Sequence, residues 1–428
     1  MSSSEVAVPG FLIEGGQPLR GTVRAAANKN GVLPMIAATL LTDDVCEIRN
    51  VPLINSVLVL GQILQELGAC VEGLGTPTLR ICCRGVRQHR VRPDLVVQER
   101  ASVLVMAPLI ARTGRVLMGR PGGCAIGRRD IGTHLDALEA LGARTQTLRD
   151  EVSIRADRLT GATIFLDEAS VTATENTMMA ACAATGVTVI KHAACEPHVV
   201  DFGRFLVTMG ADIMGLGSNV LTIQGGMPLH GTIYTVAADH VDVGTFAIAA
   251  AVTGGSIDIE GVNPDQLEMI GLILQRMGVT MQFKGEQQCC LHIEAGELIA
   301  TRKVDSNIWP GFPTDLVSPM ITLATQCRGT TLIHDWMFES RMFFVDQLVG
   351  MGANIVLCDP HRCVVTGPVR LEGTRLDGPD LRAGMALLLA ALAANGTSDV
   401  RGAERIERGY ENIVPRLSAL GANIQRVP

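Results

Sequence analysis

Hydrophobic and polar positions along this chain repeat in a cycle of about 70 residues. Each turn of the cycle closes on Leu/Met-Gly-Ala/Val, at Gly68, Gly142, Gly210, Gly278, Gly352 and Gly421. The residues before each glycine have apolar side chains at three- and four-residue spacing, as in 57–67 and 413–420, which predicts an amphipathic helix. A glycine just past such a run predicts the left-handed residue that ends a helix. Earlier in each cycle stands a segment apolar on nearly every side: 31–41, 101–112, 177–185, 243–252, 316–326 and 381–394. A helix without a polar face is buried all round. Short strands follow, such as 46–49, 256–259 and 331–333, and a Leu-x-Gly-Thr signal precedes several cycles, at Leu19–Thr22, Leu229–Thr232 and Leu371–Thr374.

Six such units are too long for a solenoid and fit two domains of three units each, with buried helices inside and sheets around them. The expected class is α/β. The expected domains are residues 29–237, and residues 1–28 together with 238–428, the N-terminal stretch pairing back with the C-terminal half. The cleft between them is where a ligand is expected.

Composition narrows the function. The chain has 428 residues and a net charge of −7, which argues against nucleic acid or a membrane surface as partner. Aromatic residues are 3% of the total, too few for stacking platforms. The twelve cysteines are scattered, without Cys-x-x-Cys, so neither a disulfide framework nor a zinc ribbon is predicted. The start Met-Ser-Ser-Ser-Glu has no signal-peptide pattern, and the longest apolar run, 383–394, is too short to span a bilayer. A cytoplasmic location is expected.

Charged and polar side chains cluster where the apolar segments begin: Lys29 and Asn30, Arg100, Ser170 to Thr172, Asp239 and Asp242, Asp315, and Asp380 with Arg382. Ser170, Thr314 and Asp380 read as ordinary caps. Lys29, Arg100 and Arg382 do not, because a cation at a helix start opposes the dipole unless an anion arrives. One loop, Arg120-Pro121-Gly122-Gly123-Cys124-Ala125-Ile126-Gly127-Arg128-Arg129-Asp130, sets a lone thiol among glycines and guanidinium groups. Nearby cations favour the thiolate, so Cys124 suits a proton donor or a nucleophile.

These motifs, with Ala173-Thr-Glu-Asn176, Glu196-Pro197, Phe312-Pro-Thr-Asp315, Phe338-Glu339 with Arg341, and Arg408-Gly-Tyr-Glu411, resemble the UDP-N-acetylglucosamine 1-carboxyvinyltransferase family of enolpyruvyl transferases over nearly the whole chain. The 5-enolpyruvylshikimate-3-phosphate synthases are related to that family. The resemblance implies a two-domain inside-out α/β barrel. It also implies transfer of the enolpyruvyl group of phosphoenolpyruvate to the 3′-hydroxyl of the sugar nucleotide with release of phosphate, the first committed step of peptidoglycan precursor synthesis. By similarity Lys29, Arg129 and Arg408 cage phosphoenolpyruvate, with Arg382 beside them. Cys124 supplies the proton and is the fosfomycin target, and Asp315 is the base. An aspartate of ordinary acidity is ionised at pH 7 and a thiol mostly protonated, which suits those opposite roles. Asn30, Arg100, Ser170, Val171, Phe338 and Arg341 complete the expected substrate contacts. The resemblance implies no cofactor and no metal. The expected partners are phosphoenolpyruvate and a UDP-sugar, with the protein a monomer or weak homo-oligomer.

On the nucleotide side the chain departs from the family at Asp130, Gly132, Glu168, Thr172, Cys195 and His198. Acidic Asp130 and Glu168 weaken binding of a UDP-sugar unless they face solvent. A paralogous enolpyruvyl transferase using another nucleotide or sugar nucleotide is therefore the alternative. A non-catalytic sugar-nucleotide sensor is the reading from a different class. His192-x-x-Cys195-x-x-His198 and Cys358-x-x-His361-x-Cys363 have spacings a metal can use, but chance clustering beside strands explains them.

Overall fold

The computed structural model describes residues 8–122, 130–285 and 289–428. The described residues fall into two compact units, one of residues 8–26 and 238–428, the other of residues 27–122 and 130–237. Each unit has its own apolar core.

Six largely buried helices anchor these cores: α1 (Lys29–Ala38), α2 (Met106–Thr113), α3 (Val171–Ala183), α4 (His240–Val252), α5 (Val317–Gln326) and α6 (Leu381–Ala393). All thirteen residues of α4 are buried, polar His240, Asp242 and Thr245 included. Gly244 in its middle lets it pack closely, since a Cβ there would sit 2.6 Å from Leu316 Cδ1. The third helix starts six residues ahead of the apolar run expected at 177–185. Thr172, Glu175 and Asn176 interrupt the hydrophobic pattern, yet the helix continues because Asn176 is buried with partners. Its Oδ1 accepts from Ala107 N at 3.0 Å and its Nδ2 donates to Val103 O at 3.0 Å. The glycines at 68, 142, 210, 278, 352 and 421 all have φ between 86° and 106°, the left-handed region that ends a helix without a Cβ penalty.

Five of the six sheets among the described residues share one strand pattern: a parallel edge pair, then two antiparallel steps. In the unit of residues 27–122 and 130–237, Ile233–Thr235 runs parallel to Val45–Arg49, which pairs antiparallel with Thr78–Cys82 and then Cys70–Glu72. Thr163–Phe165, Gly186–Lys191, Val220–Gly225 and Asp212–Met214 repeat that order. The third sheet, Arg115–Gly119, Glu151–Arg155 and Arg144–Thr147, has only an isolated parallel bridge, Arg90 to Leu117, where the others have an edge strand.

In the other unit the chain's first strands complete sheets made mostly of late residues. Gly10–Glu14 lies antiparallel between Thr397–Arg401 and Asn423–Val427. Arg20–Arg24 runs parallel to Ser256–Glu260. The last sheet, Lys303–Asp305, Gly329–His334, Arg362–Gly367 and Asn354–Asp359, leads directly into the site described next. Among the described residues no helix is long and apolar enough to cross a membrane.

Candidate active site

In the unit of residues 8–26 and 238–428, Asp315 sits in the short turn Thr314–Leu316 ahead of α5. Its carboxylate meets two arginines. Arg341 Nη1 and Nη2 donate to Oδ1 at 3.2 and 3.3 Å, and Arg382 Nη2 donates to Oδ2 at 2.7 Å. Both guanidinium groups are almost wholly buried, whereas Asp315 keeps 28% of its side chain exposed. Charge-assisted bonds of this kind fix a carboxylate in direction as well as charge.

Each arginine is held in turn. Arg382 Nη1 donates to the Tyr410 hydroxyl at 2.9 Å, and that hydroxyl lies 3.0 Å from Thr245 Oγ1 on α4. Asp380 caps α6 by accepting from Arg382 N and Ala383 N at 2.7 and 3.0 Å. Arg341 Nη1 also donates to Thr314 O at 3.0 Å, and its Cζ lies 4.9 Å from the Phe338 ring centroid. Arg341 Nε is 3.2 Å from Asp335 Oδ2, an ion-pair distance, without its N–H directed along that line. Asp239, the cap of α4, is pushed up to about 6 by burial, with Arg382 pulling the other way. Close by in the same unit, Arg416 grips Asp242 of α4 in a two-pronged pair at 2.6 and 2.9 Å. Arg408 lies in the turn before Tyr410 and has no ion-pair partner among the described residues.

Two expectations change here. The anion that answers Arg382 at the start of α6 is the internal Asp315, so its position does not itself require an external anion. Thr314 is not a cap: its hydroxyl donates to Asp335 Oδ2 at 2.7 Å.

In the unit of residues 27–122 and 130–237, Lys29 and Asn30 open α1, capped by Asn28, whose Oδ1 accepts from Gly31 N at 3.1 Å. Lys29 has no ion-pair partner among the described residues. Arg100 opens a short 3₁₀ turn and donates from Nη2 to Asp130 O at 3.0 Å. Ser170 caps α3 and Val171 is its first residue. The Thr172 hydroxyl lies 2.9 Å from the buried His134 ring. Asp130 and Glu168 are both exposed. Cys124 and Arg129 lie outside the described residues.

Two acids of the same unit that had no assigned role are withdrawn from solvent, Glu175 wholly and Glu196 in part. Glu175 of α3 is 1% exposed, and burial, reinforced by Glu196, holds its carboxyl well above the usual range. Burial pushes Glu196, at the start of helix Pro197–Thr208, up to about 6. Asp335 and Tyr410 were missed as well, although an acid directly after the apolar strand Gly329–His334 was a visible signal. An open cleft of about 320 Å³ is lined by His334, Trp336, Asp359, Pro360, His361 and Arg362, none of them an expected site residue. Among the described residues no group of three or more His, Cys, Asp or Glu is arranged to hold a metal.

The family described as EPSP synthase (3-phosphoshikimate 1-carboxyvinyltransferase) matches residues 13–417, and the chain belongs to it. UDP-N-acetylglucosamine 1-carboxyvinyltransferase of Bradyrhizobium diazoefficiens is 45% identical over 98% of both chains. The protein of the same name from Treponema pallidum is 45% identical over 97% of this chain and 98% of its own. Among solved structures, the enolpyruvyl transferase NikO from Streptomyces tendae matches with a TM-score of 0.87 and 27% identity, over 98% of this chain and 99% of that one. An EPSP synthase from Acinetobacter baumannii, at 18% identity and a TM-score of 0.77 over 98% and 100% of the two chains, shares the fold.

Proposed function

We infer that this chain transfers the enolpyruvyl group of phosphoenolpyruvate to the 3′-hydroxyl of UDP-N-acetylglucosamine, releasing phosphate. The observation that carries this is 45% identity along 98% of the chain to a relative named for that reaction. Exposure of Asp130 and Glu168 supports it, since their charge is then spent in solvent.

Chemically, the substrate methylene carbon gains a proton while the acceptor hydroxyl loses one as it attacks C2. Phosphate then leaves the tetrahedral intermediate as the new methyl group gives up a proton, which restores the carbon–carbon double bond. Asp315 takes the hydroxyl proton, and its two arginine contacts support a carboxylate of fixed direction. Cys124 delivers the proton to carbon. Lys29, Arg129 and Arg408 hold the carboxylate and phosphate of phosphoenolpyruvate, a role supported by the lack of an ion-pair partner at Lys29 and Arg408 among the described residues. Arg382 and Arg341 serve Asp315; the substrate contact expected of Arg341 gives way to this role, since its guanidinium is buried against Asp315. Asn30, Arg100, Ser170, Val171 and Phe338 hold the sugar nucleotide. No cofactor or metal enters this scheme.

The architecture is best read as an inside-out α/β barrel of six copies, three per unit. The common strand pattern of five sheets and the NikO likeness support that reading. A cytoplasmic monomer or weak homo-oligomer in peptidoglycan synthesis follows from the same function.

Phosphate release on mixing phosphoenolpyruvate with UDP-N-acetylglucosamine tests the function, and release only with some other acceptor overturns it. Asp315→Ala abolishes turnover while leaving ligand binding measurable. Cys124→Ser removes most turnover together with alkylation by fosfomycin. Persistent alkylation of that variant, read by mass spectrometry, would refute the assignment of Cys124.

A further inference from the structure

We propose that Asp335 is a positioning residue for this reaction, setting the Arg341 guanidinium against Asp315. The proposal rests on the role of Asp315 given above. Asp335 is fully buried at the end of strand Gly329–His334 and is fixed from every side. Its Oδ1 accepts from Ser306 Oγ at 2.8 Å and from Met337 N at 3.1 Å. Its Oδ2 accepts from Thr314 Oγ1 at 2.7 Å and faces Arg341 Nε at 3.2 Å. Its backbone is clamped too: the carbonyl accepts from His361 Nδ1 at 2.7 Å, and the amide donates to His361 O at 2.9 Å.

A carboxylate without exposure, held by four side-chain and backbone contacts, is a rigid reference point. Arg341 spans the distance from that point to the acid turn, its Nε edge on Asp335 and its Nη edge on Thr314 O and Asp315 Oδ1. Thr314 is held at both ends, by its hydroxyl to Asp335 and by its carbonyl to Arg341. Two carboxylates therefore share one guanidinium. While Asp335 keeps its charge, Arg341 cannot turn its whole fork onto Asp315. Both terminal nitrogens already reach Oδ1; without that charge the group swings further, onto Oδ2 beside Arg382, and the carboxylate becomes a weaker proton acceptor.

The test is Asp335→Asn, which keeps the size but removes the charge and sets an amide against Arg341. Expected is a loss in kcat of about 10²-fold, the scale of a catalytic group displaced by an ångström. The KM values for both substrates stay within about threefold, because ground-state binding is untouched. Arg341→Met and the Asp335→Asn/Arg341→Met double variant complete a cycle. If Asp335 acts through Arg341, the double variant is no slower than Arg341→Met alone, within about threefold. Multiplying losses, or an unchanged kcat in Asp335→Asn, overturns the proposal. If Asp335→Asn fails to fold, Ser306→Ala decides, since it removes only one bond to Asp335. A kcat loss at constant KM supports the proposal, and full activity rejects it. Turnover surviving Asp315→Ala would instead strike at the role of Asp315 itself, so the two failures are distinct.

Discussion

In the unit of residues 8–26 and 238–428, the carboxylates of Asp315, Asp335 and Asp242 each lie within 3.2 Å of a guanidinium nitrogen. In the unit of residues 27–122 and 130–237, buried Glu175 and half-buried Glu196 lie near each other without such a partner. Glu175 Oε1 and Glu196 Oε2 have no hydrogen-bond partner among the described residues. Burial and the neighbouring Glu196 favour the protonated form of Glu175, and burial raises Glu196 to about 6. Asp239 shows which force wins when both act: burial outweighs the nearby Arg382 and carries it to about 6. Pairing gives a carboxylate a direction, and burial without pairing raises its affinity for a proton.

The severest way to break this contrast is to unpair the first cluster. Arg382→Met keeps the bulk but strips a cation from Asp315 and Asp239, and removes a donor from Tyr410. Breaking a buried pair from one side costs about 3–5 kcal/mol, because a charge is left without compensation. Urea unfolding measures it. A loss below about 1 kcal/mol would mean that the carboxylates find other partners.

Much of this was legible in the sequence. The apolar run 381–394 became α6, Leu381–Ala393, because nothing polar follows Arg382 within it. The helix-ending glycines were readable because only one backbone conformation closes such a turn. Pairings across space were not. Arg382 and Asp315 are 67 residues apart, and no periodicity joins them. Asp335 lies 29 residues from Ser306, and its six contacts exist only once strand and turn are packed. The start of α3 was misplaced because Glu175 and Asn176 are polar in sequence yet buried in the fold. Cys124 and Arg129, the boldest readings of the loop, lie outside the described residues and rest on the resemblance.

A second, smaller effect sharpens the comparison through pH. Burial raises Glu196 from 4.5 to about 6. Between those values the folded chain binds more protons at this site than the unfolded chain, so its contribution to stability falls as pH rises. It is fully present below 4.5 and gone above about 6. Glutamine does not ionise, so Glu196→Gln gains on the parent protein across that window and levels off at about 2 kcal/mol, at 1.36 kcal/mol per unit. Unfolding free energies at pH 4.5, 5.5 and 7 measure the gain. A difference independent of pH would show that Glu196 does not carry a shifted proton.

The smallest effect isolates burial from geometry. Arg426 reaches Glu407 with the same two-pronged contact that Arg416 makes to Asp242, Nε and Nη2 at 2.9 and 3.2 Å from the two carboxylate oxygens. Its side chain is 46% exposed, against 13% for Arg416. Water screens the exposed pair, and holding two long side chains together costs rotamer entropy, so Arg426→Ala is expected to cost under about 1 kcal/mol. Added salt reduces even that, because exposed charges are screened over a Debye length of about 8 Å at physiological ionic strength. Arg416→Met, by contrast, leaves Asp242 at 2% exposure with no cation, and salt does not relieve it. Equal losses in the two variants at low salt, or equal sensitivity to salt, would show that the bidentate contact rather than its burial sets the strength of these pairs.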